Sequence, residues 1–174
     1  FIRDTALPTI GLKKRGDLTG TGGKRKEFFK AHVENTIAQI YNHPSVVAYT
    51  IFNEGWGQFD ARRATALIRS LDKTRFVNEA CGWFDQQGGD MYSIHNYKPG
   101  LTVKPQEDRV VALTEFGGYS YGVDGHYYAK YTQYGYGGCE DSEKLTQQVQ
   151  QLYEETVLSA IPKGVCGAVY TQLS

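Results

Sequence analysis

At 174 residues the chain is long enough for one globular domain with a sizeable core and too short for two. Lys+Arg and Asp+Glu number 19 each, so the formal net charge is zero and nothing in the balance calls for nucleic acid or an anionic membrane. The scattered cysteines Cys81, Cys139 and Cys166 show no zinc spacing, so reduced or buried thiols are expected, with no metal or other cofactor, and no run of 18 apolar residues appears.

Residues 1–23 lack periodicity and are broken by Pro8, Gly11, Gly16, Gly20, Gly22 and Gly23, so they read as loop. From Lys24 the pattern changes: Phe29, Val33, Ile37, Ile40 and Tyr41 recur on one helical face. That helix must stop before Pro44, which pushes His43 out of the α region. Val46–Phe52 is a continuous apolar, β-branched and aromatic run, as expected of a parallel strand buried on both faces. Asp60–Leu71 reads as a helix with Ala61, Ala64, Leu67, Ile68 and Leu71 on its apolar side. Short strands follow at Arg75–Ala80, at Met91–Asn96 after the Gly88-Gly89 turn, and at Val110–Thr114. Ser142 is expected to cap a helix running to about Ala160 and stopped by Pro162. Gly164–Leu173 reads as a last strand. Strands alternating with helices predict βαβ units, a parallel sheet and the α/β class.

Between Gly117 and Gly138 lie seven tyrosines interleaved with seven glycines. A loop this long in a compact domain is usually functional or disordered, and its place after a strand end predicts a cover over a binding mouth.

Two carboxylates occupy equivalent places. Glu54 ends the first strand, in Asn53-Glu54-Gly55-Trp56-Gly57, and Glu115 ends the fourth, in Thr114-Glu115-Phe116-Gly117-Gly118. In parallel α/β folds the C-terminal strand ends form the active face. Two acids there, each followed by glycine-rich loop, suit hydrolysis of a glycosidic bond: one carboxyl gives a proton to the leaving oxygen and an ionised one attacks the anomeric carbon. A retaining enzyme sets the two about 5–5.5 Å apart and an inverting one about 6.5–9.5 Å apart.

Asn42-His43-Pro44-Ser45-Val46-Val47 followed by Phe52-Asn53-Glu54 resembles glycoside hydrolase family 2, the β-galactosidase, β-glucuronidase and β-mannosidase group. Leu71-Asp72-Lys73-Thr74-Arg75 is similar to that family's D-x-T-R before strand five, Asp90–Tyr97 to its strand six, and Leu113-Thr114-Glu115-Phe116-Gly117 to its strand seven. The resemblance runs in order from about residue 24 to the end. It implies an eight-stranded β/α barrel, of which the chain, as the single domain 1–174, would hold about strands four to eight. It also implies roles: Glu54 as acid/base, Glu115 as nucleophile, Asn53 on the sugar 2-hydroxyl, Tyr97 hydrogen-bonded to Glu115, and His95 lining the sugar subsite. Trp56 and Trp83 follow strand ends and could stack on sugar rings. Where the family usually carries Trp on strand eight, this chain has Tyr170.

The expected partners are a carbohydrate substrate and the remaining domains of a parent enzyme, with self-association through the open side of the barrel if the chain is made alone. Three other readings are weaker. Gly20-Thr21-Gly22-Gly23-Lys24 has the look of a phosphate loop, but Arg25 stands where Ser or Thr is needed. The basic clusters Lys13-Lys14-Arg15 and Lys24-Arg25-Lys26 accompany no recognition module. A carbohydrate-binding or structural remnant of the same fold would have no need of both carboxylates.

Overall fold

The computed structural model describes residues 23–55, 57–126 and 135–172. The loop expected over 1–23 therefore lies almost wholly outside the described residues. Among them the order is α1 (Gly23–Ile40), β1 (Ala48–Asn53), α2 (Ala61–Leu71), β2 (Phe76–Cys81), β3 (Met91–Asn96), β4 (Val110–Phe116), β5 (Tyr119–Tyr121), β6 (Gly137–Cys139), α3 (Ser142–Leu152) and β7 (Val165–Tyr170). The chain divides into two compact units: residues 1–94 with 106–110, and residues 95–105 with 111–174.

In the first unit β1 and β2 pair in parallel, from Ala48 opposite Phe76 to Asn53 opposite Cys81. The helical face read from the sequence is the buried one. Phe29, Val33 and Ile37 of α1 and Ala61, Ala64 and Ile68 of α2 join Tyr49, Ile51, Phe52 and Val77 in one core, whereas Tyr41 falls beyond α1 and is exposed. Three phenyl rings close that core: Phe29 stacks on Phe52 at 5.6 Å, and Phe59 meets both edge-on.

The Asp72–Arg75 motif ties this unit together. The Asp72 carboxylate, fully buried, accepts from Tyr49 Oη (2.8 Å), Thr74 N (2.8 Å), Thr74 Oγ1 (2.7 Å) and Arg75 Nη1 (2.5 Å). Arg75 in turn donates to the carbonyls of Tyr41 (2.6 Å), His43 (3.1 Å) and Val46 (2.7 Å). It thereby satisfies carbonyls just past the C-terminus of α1 and pins the chain entering β1. Burial raises the Asp72 carboxyl, but the hydrogen bonds from Thr74, Tyr49 and Arg75 outweigh it and hold the group well below the usual range. The same burial, with the Asp72 charge, pushes the Tyr49 phenol up to about 12.

The Gly88-Gly89 turn is also explained. Gly88 N donates to Glu79 Oε1 at 3.1 Å, and a Cβ on Gly88 would lie 1.8 Å from the other carboxylate oxygen. Gly89, at φ 70°, passes so close to β2 that a Cβ would meet Val77 O at 2.6 Å.

In the second unit β4 and β7 pair in parallel, with Val111 opposite Val165 and Phe116 opposite Tyr170. The sheet order is β3-β4-β7, β3 giving His95 and Asn96 to this unit. Leu113, Phe116, Leu152, Ala160 and Val165 are buried here. Three expectations are corrected. The helix cap is Asp141, not Ser142: its carboxylate accepts from Lys144 N at 2.6 Å. The helical run does not stop at Pro162 but passes from α3 into a π turn (Tyr153–Val157) and a 3-10 turn (Leu158–Lys163) that contains the proline. It ends at Gly164, whose φ of 99° only glycine adopts without strain. Lastly, the Tyr/Gly-rich segment is not all loop, since β5 and β6 pair in parallel within it, Tyr119 opposite Gly137.

Candidate active site

At the end of β1, Asn53 is the last strand residue and Glu54 turns the chain. Glu54 has a φ of 56°, uncommon for a residue with a side chain, and its backbone N–H donates to Cys81 O at 2.8 Å. Gly55 follows at φ 75°, and a Cβ there would lie 2.2 Å from the Phe84 ring. Phe84 is itself at positive φ, and its carbonyl accepts from the buried Gln58 side chain at 2.9 Å. The segments leaving β1 and β2 thus lock each other, and backbone strain is concentrated beside Glu54. Trp83, in the segment leaving β2, is exposed, so it is not core. Trp56 lies outside the described residues. Arg109 grips the same segment through a two-pronged pair with Asp85 (2.7 and 2.8 Å), which holds its guanidinium pKa above the usual value.

At the end of β4, Glu115 lies within the strand and is held by side chains. Tyr97 Oη donates to Glu115 Oε2 at 2.6 Å, and His95 Nδ1 lies 3.7 Å from the same oxygen. The His95 side chain is fully buried, and 3.7 Å is too long for a hydrogen bond. The Tyr97 ring meets His95 edge-on at 6.3 Å and stacks on Tyr136 at 3.6 Å, 9° from parallel.

The two glycines after Glu115 make room for rings. A Cβ on Gly117 (φ 87°) would sit 2.3 Å from Tyr170, and one on Gly118 (φ 74°) 2.4 Å from Tyr136. Tyr170 packs edge-on against Phe116 at 5.4 Å, and its hydroxyl accepts from Tyr119 N at 3.3 Å. Sequence reasoning singled out Asn53, Glu54, Trp83, His95, Tyr97, Glu115 and Tyr170, but not Gln58, Phe84, Asp85, Arg109 or, individually, Tyr136. Tyr136 was visible only as one tyrosine among seven in the Tyr/Gly-rich stretch. Phe84 carried no signal.

The model of the TIM barrel domain of glycosyl hydrolases family 2 matches residues 5–104, 100 of the 174 residues. The chain belongs to glycoside hydrolase family 2. The family match takes in Asn53, Glu54, His95 and Tyr97 and ends before Glu115. A crystal structure of Parabacteroides merdae β-glucuronidase with glycerol in its active site aligns at TM-score 0.56 over 90% of this chain, with 18% sequence identity. That likeness is one of fold, and the chain spans 24% of the glucuronidase's length. A second crystal structure of the P. merdae enzyme aligns at TM-score 0.49, 18% identity, over 90% of this chain and 25% of that one. No curated protein matches the chain. For a family 2 chain the α/β layout with parallel strands is the expected class, and the carboxylates at the ends of β1 and β4 stand on elements of that kind.

Proposed function

We propose that this chain carries both catalytic carboxyls of a retaining β-glycoside hydrolase. The observation that carries the reading is Glu115, at the end of a parallel strand, accepting a 2.6 Å hydrogen bond from Tyr97. A phenol donating to an ionised carboxylate keeps one oxygen occupied and the group oriented, which suits a nucleophile. Glu115 attacks the anomeric carbon while Glu54, protonated, gives its proton to the departing oxygen. Glu54 then takes a proton from water, which cleaves the glycosyl ester and returns Glu115. The reading calls for the two carboxyls to stand about 5–5.5 Å apart.

Asn53 hydrogen-bonds the sugar 2-hydroxyl, where contacts strengthen in the transition state. His95 lines the sugar subsite, and Trp56, Trp83 and Tyr170 offer aromatic surface to the sugar. Residues 1–174 form one piece of a (β/α)8 barrel, about strands four to eight, completed by the rest of a parent enzyme. Supporting the barrel reading, β7 is the last strand of its sheet among the described residues, and Cys166–Val169 are exposed. An apolar edge of that kind invites self-association when the chain is made alone.

The test is the full-length enzyme on a panel of aryl β-glycosides, with the anomer of the first-formed sugar read by NMR. Net retention, and loss of turnover in Glu115→Gln, are expected. An inverted product removes the double displacement, and no hydrolysis of any member removes the enzyme reading.

A further inference from the structure

Tyr97 lies just beyond the end of β3, and its hydroxyl meets Glu115 at 2.6 Å. Two neighbouring rings flank its own. His95 touches it only edge-on at 6.3 Å, whereas Tyr136 covers a whole face at 3.6 Å and 9°.

Tyr136 is anchored in its turn. Its backbone N–H donates to Gly118 O at 2.8 Å, and it directly precedes β6, which pairs with β5. Cys139, at the far end of β6, lies 3.1 Å from Gln148 Oε1 of α3. Gly118 lacks the side chain that would drive Tyr136 away. A continuous set of contacts thus runs from α3 through β6 and Tyr136 to Tyr97 and Glu115, all within one unit.

We infer that Tyr136 is a positioning residue: by stacking on Tyr97 it fixes the phenol that orients the Glu115 carboxylate. This gives the Tyr/Gly-rich segment a definite task, to carry one ring to the nucleophile's hydrogen-bond partner. The catalytic consequence rests on the function proposed above; the positioning itself does not.

The experiment uses the full-length enzyme. Tyr136→Ala should lower kcat about tenfold and leave KM within about twofold, because orientation rather than binding is lost. Tyr136→Phe keeps the flat ring and should restore the rate. In a Tyr97→Phe background Tyr136→Ala should add nothing, since the hydroxyl it orients is gone. A rise in KM at unchanged kcat would make Tyr136 a substrate platform and overturn the inference. So would additive losses in the double variant, or a Phe variant as slow as the Ala variant. If Tyr136→Ala fails to accumulate, Tyr136→Leu, with bulk but no flat face, takes its place.

A crystal structure of the variant decides the positioning without any assay. Loss of the Tyr97–Glu115 contact upholds it, and a contact kept at hydrogen-bond distance overturns it. Failure of the wild-type enzyme to cleave aryl β-glycosides sinks the functional reading alone.

Discussion

The ends of β1 and β4 each carry a glutamate with glycine within two residues after it, yet they are built differently. Glu54 is set by its backbone: it leaves the strand at φ 56°, held by an N–H to Cys81 O, with Gly55 pressed under Phe84. Glu115 keeps strand conformation, and its carboxylate is set from outside by Tyr97, with His95 beside it. The glycines differ to match. At β1 the glycine extends a strained turn, and at β4 two glycines clear space for Tyr170 and Tyr136. A group that must stay ionised and aimed at one atom gains from a fixed hydrogen bond. In the reading proposed above, a group that gives up and takes back a proton gains from a fixed backbone.

The largest expected effects separate the two roles. In the full-length enzyme Glu115→Gln should lower kcat on every β-glycoside by about 10⁴-fold or more, because no attacking group remains. Glu54→Gln should cost about 10²–10⁴-fold on substrates whose leaving oxygen needs a proton. On activated aryl glycosides, whose phenolate leaves unaided, it should slow formation of the intermediate far less. Values of kcat/KM across a series of leaving groups, which report formation of the intermediate and not its hydrolysis, check this. A flat dependence in Glu54→Gln would mean that Glu54 is not the acid.

Much of this was legible in the sequence. The strands around Glu54 and Glu115 declared themselves through β-branched and aromatic runs, which local chemistry and burial both favour. His95 in β3 and Tyr97 just beyond it could be singled out because a family pattern supplied what spacing could not: Tyr97 and Glu115 are 18 residues apart, and only the fold brings them together. The short strands β5 and β6 were illegible. Gly137-Gly138-Cys139 has no strand propensity, and its pairing comes from packing on the rest of the unit. Pro162 misled because a proline normally ends an α-helix, but here the helix has already changed pitch before reaching it. The glycines after each glutamate signalled turns, but not the rings that require them.

Those glycines give the next test, of stability rather than rate. Gly55→Ala and Gly117→Ala each put a Cβ at positive φ and into a ring, and each should cost about 1–3 kcal/mol. Gly138→Ala, with open space around it, should be nearly neutral. Thermal melting of the three variants measures this. The contrast between the strand ends sharpens if Gly117→Ala, by displacing Tyr170, also disturbs the hydrogen bond from Tyr119 N, while Gly55→Ala leaves it intact.

The smallest effect concerns pH, and it separates the two strands rather than the two acids. β1 is entered through the Asp72–Arg75 knot, whereas the end of β4 is held by phenols and glycines. The folded Asp72 carboxyl titrates well below its unfolded value of about 3.9, so its contribution is complete above that value and is lost as the pH falls toward the folded one. Tyr49 has the opposite sign. Its folded pKa of about 12 exceeds the unfolded value of about 10, so its contribution is complete below pH 10 and is lost between about 10 and 12. Hydrogen-exchange protection of residues 48–53, corrected for the intrinsic rate at each pH, should therefore drop at both extremes. Asp72→Asn should flatten the acid arm and Tyr49→Phe the alkaline one, and neither should change the profile of residues 111–116 to the same degree. An acid arm that survives Asp72→Asn would place its origin in other carboxylates. The backbone that carries Glu54 would then be independent of the ionic knot at the start of its strand.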